Sequence, residues 1–132
     1  MLDTNVFVAA GFRPGGACGA LLAAARAGRI AALWSEETRA ETRAVLMRIP
    51  PLDWDDAAAL FRPEHRWTPA LDFAAVAFVE DLADRKFAAL ARDAGALLVS
   101  ADGHLLDHAA RLGAARPTEA LRRLGLEGAG RG

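Results

Sequence analysis

Short apolar runs alternate along this chain with longer amphipathic ones, and Gly, Pro, Ser or Asp stands at most of the junctions. Met1-Leu2 breaks into Asp3-Thr4-Asn5, a switch from strand-like to turn-like residues. Gly11 to Gly16, with Arg13 and Pro14, reads as a loop, and Ala17 to Ala27 as a helix that Gly28 ends. Ile30 to Trp34 is too short for a helix and suits a buried strand. Ser35 is placed to cap the next helix, and Glu36 and Glu37 sit in its first turn, where the helix dipole favours them. That helix runs to about Arg48, before Pro50-Pro51.

Asp53 is placed to cap a short helix ending near Pro63, and Pro63 to Pro69, with His65 and Trp67, has no clear period and reads as loop. Ala74 to Val79 is predicted to be a strand, and Ala83 to Asp93 a helix ended by Gly95. Ala96 to Val99 is a further buried strand, with Ser100-Ala101-Asp102-Gly103 as its exit turn. His104 to Arg111 is predicted helical up to Gly113, and a short run around Ala115 precedes a last helix from Pro117 to Leu124. The order strand then helix, repeated, predicts an α/β layer fold with a parallel sheet covered on both faces. Residues 1–124 then make one domain, and 125–132 a Gly-rich flexible tail.

Composition narrows the classes. The chain has 132 residues, 53% hydrophobic and 25% charged, which suits one globular domain rather than a disordered segment. A net charge of −1 lacks the basic excess of proteins that grip duplex DNA by phosphate neutralisation alone. The basic residues are Arg except for Lys86, and Arg is the better fork for phosphate. The lone Cys18 cannot form an internal disulfide, and no Cys/His cluster points to structural zinc. With no signal-like opening and no apolar run of membrane-spanning length, the chain reads as soluble and cytoplasmic, with no membrane partner.

In parallel α/β sheets, ligands bind beyond the carboxyl ends of the strands. Asp3 and Asp102 each closely follow a predicted strand, Glu41 lies about two turns into the helix after the second, and Asp84 starts a later helix. Taken singly, each acid is more readily a turn, cap or solvated residue. Four of them at comparable topological positions change the balance. Carboxylates gathered in one crevice raise one another's pKa unless a cation neutralises them, and the matching cation is hard and oxygen-seeking, Mg²⁺ or Mn²⁺. Such an ion polarises a phosphoryl oxygen and activates water.

The same residues resemble a known family. Leu2-Asp3-Thr4-Asn5-Val6-Phe7-Val8 looks like the opening of PIN-domain nucleases, especially VapC-like toxins of type II toxin–antitoxin pairs. Trp34 to Glu41 followed by Val45 to Arg48 resembles the second acidic block, Asp81 to Phe87 with Leu90-Ala91 the third, and Leu98 to Asp102 with Leu105-Leu106 the fourth. The blocks come in the family's order, across roughly residues 1 to 124. The resemblance implies a PIN-like three-layer fold with a parallel five-stranded sheet flanked by helices. It also implies a Mg²⁺- or Mn²⁺-dependent endoribonuclease acting on RNA, with Asp3, Glu41, Asp84 and Asp102 as catalytic metal ligands. A homodimer restrained by a cognate antitoxin protein belongs to the same expectation. Only Met1 and Leu2 precede Asp3, fewer than the family's usual first strand, and residues 63–72 follow no pattern of the family.

Around the four acids, Asn5 and Ser100 are candidates to hydrogen-bond the ligand carboxylates. Arg13, Arg85 and Lys86, and less directly Arg111 and Arg116, are candidates for phosphate contact by position. Asp81 and Asp107 are rival acids. His104 and His108, four apart, make at most a two-ligand zinc pair, and His65 reads as structural. Two other functions compete. A haloacid-dehalogenase-type phosphatase would use Asp3 as nucleophile, but it wants a second Asp where Asn5 stands. A non-catalytic PIN-like binding module would keep the fold and act through a protein partner.

Overall fold

Three chain segments meet as parallel neighbours at the centre of the molecule. The computed structural model describes residues 1–126, apart from the side chains of His104 and Ala110. Met1-Leu2 lies beside β1 (Leu98–Val99), which pairs in parallel with β2 (Ala114–Ala115) in the register Leu98 to Ala114 and Val99 to Ala115. The Val99 N–H donates to the Met1 carbonyl at 2.9 Å, and the Asp3 N–H donates to the Val99 carbonyl at 3.0 Å. The Ser100 N–H donates to Ala115 at 3.1 Å, so the ladder continues to the residues that leave the strands.

Alternation along these short strands sorts the core into two layers. Leu2, Val99 and Ala115 point into one apolar cluster with residues of α1 (Thr4–Phe12), α2 (Ala17–Arg26) and α8 (Pro117–Arg123). Met1, Leu98 and Ala114 point into the other, with α5 (Leu82–Ala94), α6 (Gly103–Leu106) and α7 (Ala109–Leu112). Helices thus cover both faces of a parallel pairing, the α/β layering that the sequence predicts.

Helix ends follow their local chemistry. Ser35 caps α3 (Glu36–Met47): its hydroxyl accepts from the Thr38 N–H at 3.3 Å, and the Thr38 hydroxyl accepts from the Ser35 N–H at 3.0 Å. Asp53 caps the short α4 (Trp54–Ala58), and Asp81 caps α5. Gly95 ends α5 at φ +63°, a left-handed conformation that glycine adopts without a Cβ clash. No single helix among the described residues is long and apolar enough to cross a membrane.

The sheet is smaller than expected, a correction to the five-stranded reading. Among the described residues the ladder comprises β1, β2 and the Leu2 bridge, and the only other strand-like pairing is a single parallel bridge between Trp34 and Arg66. Of the run Ile30 to Trp34, only Trp34 is bridged. Ala74 to Val79 is not a strand but contains a 3-10 turn over Ala74–Val76. The Arg85 guanidinium donates to the carbonyls of Val79 and, at 2.9 Å, of Ala77, so a side chain occupies acceptors that a neighbouring strand would need. The Asp72 carboxylate accepts from the Ala75 N–H at 3.2 Å and fixes the start of the turn.

Two helical expectations also change. The residues after Asp3 form α1 rather than a turn and loop, and α1 reaches past Gly11. At Gly11 a Cβ would meet the tip of the Leu52 side chain, which would have to turn aside. The helix foreseen over His104 to Arg111 is broken into α6 and α7, with His108 outside helical geometry between them. Leu126 packs into the core, and residues 127–132 of the expected tail lie outside the described residues.

Candidate functional site

Asp3 is the N-cap residue of α1 and leaves the first strand at its carboxyl end. It is 3% exposed, a rare degree of burial for a carboxylate. Its neighbour across the ladder, Ser100, is fully buried and donates its hydroxyl to the Asp3 carboxylate at 2.8 Å. The same Ser100 oxygen accepts the backbone N–H of Asp102 at 2.9 Å. One side chain therefore binds both strand-end acids into a single turn.

Burial pushes the Asp3 carboxyl up to about 6 from an ordinary 3.8. Hydrogen bonds from Ser100 and the Thr4 N–H pull the other way, while the nearby charges of Asp102 and Glu41 push it further up. Two of the other sequence-predicted acids thus lie within electrostatic reach of Asp3. Glu41 reaches this group from α3, where its carboxylate is paired with the Lys86 ammonium at 3.2 Å.

Asp84 is buried on the first turn of α5 and lines a cleft of about 530 Å³ with Val79, Glu80, Asp81, Asp107 and His108. Asp3, Glu41 and Asp102 are not among that lining. The same helix α5 carries Lys86, which pairs with Glu41, and packs against α3. Among the described residues, no three acidic, His or Cys side chains close on one point as a ready-made cage.

The remaining candidates separate by what they touch. Asn5 is exposed at the start of α1. Arg13 caps the far end of that helix, about 15 Å along its axis from Asp3. Arg85 is committed to the carbonyls of Val79 and Ala77, and Lys86 to Glu41. Arg111 stacks on Phe78, and Arg116 is exposed before α8. Asp81 is a helix cap, its carboxylate accepting from the Ala83 N–H at 2.8 Å. The proposed histidine pair falls on His104, whose side chain lies outside those described; His108 packs edge-on against Phe78. Sequence reasoning missed Thr4 and Thr42, whose buried hydroxyls meet at 2.9 Å between α1 and α3. Their separation of 38 positions left no local signal.

The donor set fits a hard divalent cation. All the candidate ligands are carboxylate oxygens, and a buried carboxyl raised to about 6 by desolvation and like charges is one that a bound cation would return to its ionised form. Mg²⁺ is commonly held by one or two carboxylates with waters and substrate oxygens completing its shell, so a closed cage is not required.

A family profile described as PIN domain matches residues 1–104. No curated protein and no solved structure matches the chain.

Proposed function

This chain belongs to the PIN-domain family, and on that premise we propose that it is a Mg²⁺- or Mn²⁺-dependent endoribonuclease, the toxin of a toxin–antitoxin pair. PIN domains are generally metal-dependent nucleases. The observation that carries the reading is the buried Asp3 carboxylate, tied to Ser100 and charge-coupled to Asp102 and Glu41 where the parallel strands end.

In this reading Asp3, Glu41, Asp84 and Asp102 hold the cation, and Ser100 keeps Asp3 and Asp102 in register. When bound, the cation polarises the phosphodiester and supplies an activated water. Asp3 gives a fixed, desolvated oxygen donor, and Glu41 an adjustable one whose charge Lys86 balances. The half-buried Lys86 ammonium lies where a phosphate oxygen could exchange for Glu41. RNA as substrate, the cytoplasm as location, and a cognate antitoxin and a homodimer as partners come from the likeness of the four acidic blocks to VapC-like toxins. The Lys86–Glu41 pair, which neutralises one of the four acids, is what a second reading would build on: a binding module without catalysis.

Purified protein is expected to cleave RNA with Mg²⁺ or Mn²⁺ and not in a chelator, and Asp3→Asn is expected to abolish cleavage with the fold retained. Cleavage in the chelator, or full activity of Asp3→Asn, would sink the nuclease reading. Intact divalent-ion binding without cleavage of any RNA would favour the binding module.

A further inference from the structure

We propose that Thr4 and Thr42 are positioning residues whose hydroxyl pair sets the spacing between Asp3 and Glu41, an inference that rests on the nuclease reading. Each threonine is next in sequence to one of the acids. Their Oγ1 atoms lie 2.9 Å apart, with one hydroxyl donating to the other. Thr4 is 6% exposed and Thr42 1%, so the bond is sealed inside the contact between α1 and α3.

An aliphatic pair would fill this helix contact without the cost of burying hydroxyls, so stability alone does not call for threonine here. What the pair provides is distance. Oxygens joined by a hydrogen bond approach to 2.9 Å, whereas carbons in contact stand about 3.5–4.0 Å apart. The two helices are therefore held up to about 1 Å closer than methyl contact would allow. Thr42 is also held in phase, because Thr38, one turn earlier on the same buried face, is locked into the Ser35 cap. Glu41 follows that phase to the position where its charge acts on Asp3. A shift of about 1 Å between reacting or ligating groups is enough to cost a site as much as a hundredfold in rate.

The test compares Thr4→Val/Thr42→Val, Thr42→Ser and the wild type by Mn²⁺ titration calorimetry without RNA, thermal melting, and RNA cleavage. Removing both hydroxyls leaves neither unsatisfied, so Tm should stay within about 3 °C of wild type. Mn²⁺ affinity should fall about tenfold and kcat with it, KM for RNA remaining unchanged. Thr42→Ser, which keeps the hydroxyl, should retain wild-type Mn²⁺ affinity. Wild-type affinity and kcat in the double valine variant would overturn the proposal and leave the nuclease reading standing. If the double variant fails to fold, Thr42→Val decides: a tenfold loss of Mn²⁺ affinity that Thr42→Ser does not share supports the proposal, and wild-type affinity in Thr42→Val overturns it. A wild type that binds no Mn²⁺ would overturn the nuclease reading, and this inference with it.

Discussion

Asp3, at a strand end, and Glu41, on a helix flank, are held in opposite ways. Asp3 and Asp102 are fastened through one buried serine, and Asp3 sits at 3% exposure with its carboxyl raised to about 6. Glu41 sits on a helix flank, its side chain 28% exposed and paired with a lysine whose own side chain is 32% exposed. Asp84 is buried and lines an acidic cleft with Glu80, Asp81 and Asp107. Asp3 is fixed and desolvated, so its behaviour depends on protons. The Glu41–Lys86 pair is adjustable, and its behaviour depends on which cation stands nearby.

The sharpest way to break this contrast is Asp3→Asn. On the proposed reading cleavage should drop by more than about a hundredfold, because the substitution removes the carboxylate charge and keeps its shape. Ser100→Ala should come next. It strips a donor from the Asp3 carboxylate and an acceptor from the Asp102 N–H, both in a buried turn, and should cost about 1–3 kcal/mol in denaturant unfolding. Activity should fall about ten- to a hundredfold. An exposed-pair effect of a few tenths of a kcal/mol would mean that the strand-end acids are not rigidly held.

The pH dependence of metal-free stability should be of similar size. A carboxyl whose folded pKa is about 6 against 3.8 gives stability that is complete below about 3.8 and lost as pH rises through 6. Stability in chelator should therefore fall between about pH 4 and 6 by on the order of 2–3 kcal/mol. Asp3→Asn should remove that fall. A fall that persists in the variant would assign it to another group.

Lys86→Gln should have the smallest effect on folding, under about 1 kcal/mol, since the pair it breaks is partly solvated and screened by salt. Its effect belongs to the cation: without the competing ammonium, Glu41 should bind Mn²⁺ a few-fold more tightly. Equal affinity in the variant would place Lys86 outside the ion's field.

What the sequence made legible follows the range of the physics involved. Helix ends are written within a few residues, so Ser35, Asp53, Gly95 and Pro117 marked their elements well. The helix α1 was hidden because Val6, Phe7, Val8, Ala9 and Ala10 are apolar on every side and leave no period to detect. The strand foreseen at Ala74 to Val79 failed because Arg85 takes its carbonyls, a contact that no local apolar run reveals. Asp3 and Asp102 were readable from strand exits. The position of Glu41 was not, since it depends on Lys86, 45 residues on, and on the phase that Thr42 fixes.

The pairing of Leu2 with Val99 has a consequence for biosynthesis. The neighbour that the opening residues need lies 97 positions further along the chain, and β2 comes later still. Such long-range parallel contacts close slowly and late. On the ribosome, Asp3 must wait for Ser100 and Asp102 before any site exists, so a growing chain carries the acids without their arrangement. On the proposed reading, a nuclease built this way stays latent until β1 and β2 have been made.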